Sequence, residues 1–303
     1  MTLLVTGAWR YTEDELEMLR AKGHELILMP DERAKLPVPA ETVEGVICNG
    51  LFLYHEIDEF TSLRYIQLTS AGLDRVPLDK ICARGITLRN ARGVYSVPMA
   101  EYALFGVLSI YKRAGRFAEA QRTASWIKQR DILELCGKSV LIVGCGSVGC
   151  ECAKRFAAFG CRVSGIDAVP REDALFESVL PVSALEGALA EADVVVLTLP
   201  LTPETRHIIN ERTLACCKRG TVLVNISRGG TVDTAALVSA LKCGTLSGAV
   251  LDVFEEEPLP DTSPLWAQDG VIITPHNSFV GEGNAHRLSR TIFKNLEEVS
   301  NEQ

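Results

Sequence analysis

The chain has 303 residues, 47% hydrophobic and 23% charged, which is the balance of an ordinary globular protein. Its formal net charge of −8 argues against nucleic acid or an anionic membrane as a main partner, so any bound anion needs a local basic group. No signal peptide is expected, and no apolar run reaches the roughly 18 residues that cross a bilayer. The ten cysteines form no CxxC pair, which indicates free, mostly buried thiols in a reducing cytoplasm and no metal site.

The first 95 residues alternate strand and helix signals. A chain of this length exceeds what one core usually supports, so two domains are expected, and this region reads as a small α/β layer of its own. Thr12 and Glu15 form a capping box that opens a helix, and Gly23 can end it. The predicted strands cover residues 2–6, 25–29, 43–48, 63–68 and 85–89.

A long helix is expected after Pro98, because apolar residues recur at helical spacing from Ala100 to Tyr111. From Gly137 onward, continuous Val/Ile/Leu runs indicate strands buried on both faces, hence a parallel sheet covered by helices. The strands of this sheet are predicted at residues 138–143, 161–167, 193–199, 221–227, 247–254 and 271–275.

Helices are predicted between these strands. One covers residues 147–159, and another begins at Ser183, where Glu186 completes a capping box. Others lie near residues 210–218 and 233–243. A closing helix, from about residue 282 to 298, is expected to pack back on the first domain.

The segment GCGSVG, residues 144–149, matches the dinucleotide-binding pattern G-x-G-x-x-G. It follows a strand, opens a helix, and is followed by Asp167 at the end of the next strand, so a glycine turn kept only for packing is the weaker interpretation. Asp167 can bind the ribose hydroxyls and would repel a 2′-phosphate, which favours NAD over NADP, although Arg171 lies nearby. The residues predicted to bind the cofactor here are Gly144, Gly146, Ser147, Val148, Gly149 and Asp167.

Arg228, Glu257 and His276 each follow one of the last three strands. Because the carboxyl ends of parallel strands lie along one edge, where such sheets bind ligands, we expect these side chains to converge near the glycine turn. A guanidinium, a carboxylate and an imidazole suit hydride transfer involving a small anionic substrate. The structural alternatives are a surface arginine, a glutamate within the solvated run 255–257, and an ordinary loop histidine.

Several motifs together resemble the D-isomer-specific 2-hydroxyacid dehydrogenase family, which includes glyoxylate/hydroxypyruvate reductases, D-lactate dehydrogenases and phosphoglycerate dehydrogenases. They are VLIVGCGSVG, LTLPLTPETRHIIN, LVNISRGGTVD, GAVLDVFEEEPLP and ITPHNS, with SAGLD and GVYSVPMAEYAL upstream. The resemblance implies a Rossmann-type doubly wound NAD-binding domain, residues 96–281. It also implies a smaller flavodoxin-like α/β substrate domain, residues 1–95 with 282–303. A cytoplasmic homodimer formed through the long helix is expected.

The resemblance also assigns roles. Arg228 would bind the substrate carboxylate and polarise the keto oxygen, which its forked guanidinium suits. His276 would be the proton donor and acceptor, and Glu257 would orient it. Together they imply interconversion of a small 2-oxo acid and its D-2-hydroxy acid. Further contacts implied are Ala71 and Gly72 to the substrate carboxylate, and Leu199, Pro200, Thr205, Ile226, Ser227 and Asp252 to the cofactor.

Trp9, Leu51, Phe52 and Tyr95 either shape the substrate pocket or belong to local core. The chain departs from the family at Asn277-Ser278-Phe279, where glycine is common, and this leaves the size of the substrate open.

Two other accounts remain open on the sequence alone. The same fold serves in dinucleotide-sensing corepressor scaffolds without turnover, and related frameworks oxidise formate or phosphite. The Glu257 and His276 pair favours hydroxy-acid chemistry, since interconverting an alcohol and a ketone needs a proton partner.

Overall fold

A computed structural model describes residues 1–301, without the side chains of the last two, and divides the chain into two compact units. The first unit combines Met1–Tyr95 with the segment that starts at Gly281, and the second unit is Ser96–Val280. Each unit is a parallel β-sheet with helices, so the predicted α/β class is confirmed.

The strands within the described residues are all parallel to their neighbours. In chain order they are β1 (Thr2–Thr6), β2 (Glu25–Met29), β3 (Gly45–Cys48), β4 (Tyr65–Leu68), β5 (Thr87–Arg89), β6 (Ser139–Val143), β7 (Arg162–Asp167), β8 (Val179–Pro181), β9 (Val194–Leu197), β10 (Thr221–Asn225), β11 (Leu246–Leu251) and β12 (Val271–Ile273).

Helices connect these strands, together with several short 3-10 turns. The α-helices are α1 (Glu13–Ala21), α2 (Leu78–Ala83), α3 (Ser96–Tyr111), α4 (Ala114–Arg122), α5 (Ser147–Ala158), α6 (Leu185–Glu191), α7 (Glu211–Ala215), α8 (Thr234–Cys243) and α9 (Asn284–Asn301).

The first unit has the strand order β2-β1-β3-β4-β5, which is the flavodoxin-like order. Its buried strands place apolar side chains on both faces of the sheet, as expected where helices cover both sides. The closing helix α9 packs on one face through Leu288, Ile292 and Leu296, and the Trp9 indole donates to Ser289 on this helix at 3.0 Å. The predicted return of the closing helix to the first unit is therefore confirmed.

The second unit has the strand order β12-β11-β10-β9-β6-β7-β8. The order changes direction between β6 and β9, which creates the switch point where doubly wound sheets bind dinucleotides. Helix α3 lies on α5 and buries Ala100, Ala103 and Val107 in the same core as strands β6 and β10. Helix α5, which begins at the glycine turn, contributes Cys152 and Phe156 to this core.

Local signals near the chain start were accurate. Thr12 caps α1, and Thr12 and Glu15 form the predicted capping box. The second predicted capping box is wrong. Ser183 lies inside a 3-10 turn that continues into α6, so it cannot act as the cap, and the N-cap is Ala184. The Glu186 carboxylate instead forms an ion pair with the Arg212 guanidinium at 2.9 Å.

The expectation that most cysteines are buried is also wrong. All ten lie within the described residues as free thiols, but only Cys48, Cys145 and Cys152 are buried. Burial raises the pKa of the Cys145 thiol in the glycine turn to about 12, so this thiol stays protonated beside the proposed cofactor site. Among residues 1–301, no helix combines the length and the apolar character that spanning a membrane requires.

Gly106 allows α3 to approach the sheet. A Cβ at this position would lie 2.5 Å from a methyl carbon of Val250 on β11, which is too close for any real contact. A Cβ at Gly115, in the first turn of α4, would meet nothing within 4 Å.

We therefore expect Gly106→Ala to lower the free energy of unfolding by about 1–3 kcal/mol, because overpacking displaces α3. Gly115→Ala is the matched control and should leave stability unchanged or raise it by up to about 1 kcal/mol. Urea denaturation of both variants measures this, and equal stability of the two would show that α3 does not depend on this contact.

Candidate active site

Arg228, Glu257 and His276 lie in loops that leave three neighbouring strands. Strands β10, β11 and β12 are adjacent and parallel, so their carboxyl ends are side by side. The predicted convergence at one sheet edge is therefore present for the backbone segments that carry these residues.

The side chains of Glu257 and His276 are in direct hydrogen-bond contact. The Nδ1 of His276 lies 2.8 Å from Oε2 of Glu257, and Oε1 of Glu257 accepts a hydrogen bond from the backbone N–H of Phe254 at 2.9 Å. Both side chains are partly exposed. Because Nδ1 faces the carboxylate, Nε2 is the nitrogen left to exchange a proton with a ligand.

A buried carboxylate holds the turn that carries His276. Asp252 is fully buried, and its oxygens accept from the Thr274 hydroxyl at 2.6 Å and from the N–H groups of Asn277 and Ser278 at 2.7 and 2.9 Å. The Asp252 carbonyl accepts from the N–H of His276 at 2.8 Å. His276 itself has φ 51, in the left-handed region that a residue with a side chain adopts only when its surroundings enforce it.

Arg228 precedes a tight turn, Gly229–Thr231, and is half-buried. Its carbonyl accepts from the Thr231 hydroxyl at 2.7 Å and from the Asn225 amide at 3.1 Å, while one guanidinium nitrogen donates to the Ser227 carbonyl at 2.8 Å. A Cβ on Gly229 would lie 1.8 Å from the carbonyl carbon of Phe254. The backbones after β10 and β11 are thus in direct contact.

The glycine turn has the shape that a dinucleotide needs. Gly144 has φ 100, and a Cβ on Gly149 would lie 2.2 Å from the Gly144 carbonyl oxygen, so only glycine fits either position. A Cβ on Gly146 would meet nothing within 4 Å, which leaves open space beside the first turn of α5. Ser147 and Val148 begin that helix, whose N–H groups suit a pyrophosphate.

Asp167 lies at the end of β7 beside this turn. Its carboxylate accepts from the N–H groups of Cys145 at 2.7 Å and Val169 at 3.1 Å. Arg171 donates to the Cys145 carbonyl at 2.6 Å and lies 3.4 Å from the Asp173 carboxylate. The guanidinium near Asp167 is therefore already engaged with the turn itself.

The other proposed cofactor residues lie after β9 and β10. Ile226 and Ser227 are buried, Leu199 is half-buried, and Pro200 is exposed. The Thr205 hydroxyl donates to the Pro200 carbonyl at 2.7 Å and accepts from the N–H of Thr202 at 2.8 Å, so it organises its own loop.

In the first unit, Ala71 and Gly72 follow β4 in a bend that the Asn90 amide holds by donating to the Ala71 carbonyl at 2.7 Å. The N–H groups of these two residues make no hydrogen bond within residues 1–301, so both remain able to bind an anion. Trp9 and Leu51 are buried in the core of this unit, which favours the local-core alternative for both.

The sequence interpretation missed Glu255 and His207. Glu255 was grouped with a solvated acidic run, whereas its Oε1 lies 2.7 Å from Nε2 of His207 and its Oε2 accepts from the N–H of Thr234 at 3.1 Å. No spacing in the sequence signals this contact, because the three residues lie on separate segments of the chain.

Comparison with known proteins identifies the class. Residues 104–278 match the family model described as D-isomer specific 2-hydroxyacid dehydrogenase, NAD binding domain. A glyoxylate reductase from Thermofilum pendens is 35% identical over 79% of this chain and 73% of its own length. An (S)-sulfolactate dehydrogenase from Chromohalobacter salexigens is 35% identical over 86% of this chain and 85% of its own. The crystal structure of D-lactate dehydrogenase from Aquifex aeolicus, complexed with NAD and lactic acid, is 26% identical, with a TM-score of 0.78 over 99% of this chain and 96% of that one.

The chain therefore belongs to the D-isomer-specific 2-hydroxyacid dehydrogenase family. It is an NAD-binding oxidoreductase, and the resemblance inferred from the sequence motifs is confirmed. The scaffold account is not favoured, because these relatives are named as dehydrogenases or reductases.

The contact between the Arg228 turn and the Phe254 backbone yields a prediction. Gly229→Ala should lower the free energy of unfolding by at least about 2 kcal/mol and reduce kcat, because the new methyl group must push the two loops apart.

Gly230→Ala is the matched control. Its Cβ would lie 3.1 Å from the Leu201 side chain, which is exposed and can move aside, and 3.8 Å from a guanidinium nitrogen of Arg206, an ordinary contact. Urea denaturation and steady-state kinetics should separate the two variants, and a Gly229→Ala protein as stable and active as the Gly230→Ala protein would contradict the close approach.

Proposed function

We propose that the chain reduces a small 2-oxo acid to its D-2-hydroxy acid with NADH, and catalyses the reverse reaction. The observation that carries this proposal is the 2.8 Å contact between Glu257 and Nδ1 of His276, on the sheet edge where Arg228 also lies. This arrangement supplies a proton donor with a fixed orientation and a nearby cation for a carboxylate substrate. The first unit is proposed as the substrate domain and the second as the NAD-binding domain.

His276 is proposed to donate the proton in the reductive direction. The carboxylate of Glu257 accepts from Nδ1, so it favours the charged ring and directs the Nε2 proton toward the keto oxygen. When bound, the reduced nicotinamide supplies the hydride that the keto carbon accepts. In oxidation, Nε2 of the neutral ring takes the hydroxyl proton instead.

The substrate carboxylate is proposed to bind Arg228, whose forked guanidinium can also polarise the neighbouring keto oxygen. The N–H groups of Ala71 and Gly72 are proposed as its second set of donors, which their lack of a hydrogen-bond partner in the described residues supports. A 2-oxo acid as small as glyoxylate or hydroxypyruvate is our proposed substrate, because the sequence shows no basic cluster typical of a phosphate site.

The glycine turn is proposed to hold the pyrophosphate of NAD, through the N–H groups of Gly146, Ser147 and Val148. Asp167 is proposed to bind the adenosine ribose. Leu199, Pro200, Thr205, Ile226, Ser227 and Asp252 are proposed as further cofactor contacts; for Asp252, the hydrogen bonds it already accepts support an indirect role through the His276 turn.

A homodimer that uses the region around α3 and α4 is proposed. Large apolar side chains are exposed along this region, and Trp126 is 95% exposed. Apolar side chains exposed along this region are compatible with burial against a second copy of the chain. The exposed apolar residues of this region are Phe105, Phe117, Trp126 and Ile127.

A cytoplasmic location is proposed because the cysteines are free thiols, which a reducing compartment maintains.

His276→Ala should lower kcat for reduction by at least about 10³-fold, because no other proton donor occupies this position. The Kd for NADH should stay within about two-fold of wild type. Stopped-flow reduction of a dozen 2-oxo acids and fluorescence titration of NADH measure the two effects.

His286→Ala, which changes an exposed histidine on α9, is the control and should leave kcat unchanged. Turnover by His276→Ala at the wild-type rate would refute the proposed proton donor. Tight NADH binding by wild type without turnover of any 2-oxo acid would refute the proposed reaction and favour a sensing role.

Asp167→Ser should raise the ratio of kcat/KM with NADPH to kcat/KM with NADH by at least about 10-fold, because it removes a negative charge from the position of the 2′-phosphate. Glu172→Gln, on the same loop and exposed, is the matched control and should leave the ratio unchanged. A wild-type enzyme that prefers NADPH would overturn the assignment of Asp167.

A further inference from the structure

Three successive glutamates after β11 have three different environments. The Glu257 carboxylate contacts His276, and the side chain of Glu256 is exposed and makes no hydrogen bond or ion pair within residues 1–301. Glu255 is also exposed, but its carboxylate contacts His207 in the loop after β9 and Thr234 at the start of α8. The acidic run is therefore not one solvated surface feature.

The Glu255 carboxylate is bonded through both oxygens. Oε2 accepts from both the backbone N–H and the hydroxyl of Thr234, the first residue of α8, and Oε1 lies 2.7 Å from Nε2 of His207. Partial burial would raise the pKa of Glu255, but hydrogen bonds from Thr234 and His207 outweigh it and hold the pKa below its ordinary value. Glu255 thus remains a carboxylate, and its negative charge is attracted to the positive N-terminal end of α8.

His207 is itself fixed to the turn that follows Arg228. Its N–H donates to the Gly230 carbonyl at 2.9 Å, its carbonyl accepts from the Asn210 amide at 2.8 Å, and its φ of 48 is left-handed. His207 lies in the same loop as Thr205, whose hydroxyl donates to the Pro200 carbonyl. One side chain pair, Glu255 and His207, therefore joins the loops after β9, β10 and β11.

We propose that Glu255 is a positioning residue, which holds the loop of Glu257 against the Arg228 turn through His207 and Thr234. The proposal rests on the proposed function, in which Glu257 orients the proton donor. In this role Glu255 binds no ligand itself, and it acts through the backbone from Phe254 to Glu257.

The consequence for catalysis follows from the geometry. Glu257 is held at one oxygen by the Phe254 N–H and at the other by His276, so a shift of the Phe254–Glu257 backbone moves the imidazole. Without Glu255, that backbone keeps its close approach to Gly229 but loses its attachment to α8. Displacements of about 1 Å in such supports can cost up to about 100-fold in rate.

Glu255→Ala and Glu256→Ala form a matched pair, since they remove neighbouring carboxylates from one acidic run. We expect Glu255→Ala to lower kcat by at least about 10-fold with the KM for NADH within about two-fold of wild type. The rate of reduction should also fall at a lower pH than in wild type, because Glu257 supports the charged ring less well. Glu256→Ala should match wild type in all three measurements.

Glu255→Gln tests whether hydrogen bonding suffices, since its amide oxygen can still accept from Thr234. This variant should recover kcat to within about three-fold of wild type. Glu255→Ala combined with His207→Ala should cost little more than Glu255→Ala alone, because both substitutions break one connection. Full additivity of the two effects would contradict the proposed coupling.

Hydrogen–deuterium exchange separates this proposal from the proposed function. Amides of residues 254–257 should exchange at least about 10-fold faster in Glu255→Ala than in Glu256→Ala, whether or not a substrate is found. Equal exchange in the two variants, or a Glu255→Ala enzyme with wild-type kcat and pH profile, would overturn the positioning role. A wild-type protein inert toward every 2-oxo acid would overturn the proposed function alone, leaving exchange to decide on Glu255.

Discussion

The position of His276 depends on the buried carboxylate of Asp252. A carboxylate without contact to water needs several donors, and here a hydroxyl and two backbone N–H groups supply them. Two of these donors, Asn277 and Ser278, directly follow His276, and its own N–H binds the Asp252 carbonyl. The turn is thus bonded on both sides of the imidazole, which accounts for a histidine in a left-handed backbone conformation. The strand end below the turn thus fixes the backbone of His276, and the contact with Glu257 orients its ring.

Parallel strand order carries this local constraint to the neighbouring loops. Strands β10, β11 and β12 are consecutive in the sheet. Their last residues, Asn225, Leu251 and Ile273, therefore lie along one edge, and the loops that follow share the space above it. The backbones of two of these loops are in direct contact, which is possible because Gly229 has no Cβ that would clash with Phe254. The proposed reaction needs an anion-binding group and a proton donor within hydrogen-bond reach of one substrate, and closely packed loops allow this.

Features that depend on neighbouring residues or on strand order were predictable from the sequence. The Thr12 and Glu15 capping box follows from a spacing of three residues, and the parallel sheets follow from apolar runs of strand length. Ser183 shows the limit of the same reasoning, since its spacing to Glu186 fits a capping box but a preceding 3-10 turn occupies the position. The edge strand β8 was not predicted, because three residues that include Pro181 carry no periodic signal.

Features of the site that depend on contacts between distant residues could not be predicted from the sequence. The motif around Pro258 places Glu257 before a proline, but nothing in that motif shows that the carboxylate two residues earlier faces Thr234 and His207. Residues 255–257 form bends, so no regular alternation in the sequence tells which way each carboxylate points. The partner of each carboxylate depends on which neighbouring segment lies within reach, and that depends on the packing of β9 and β10 beside β11. An acidic run that looks uniform in the sequence therefore contains one carboxylate that contacts the imidazole and one that holds the loops together.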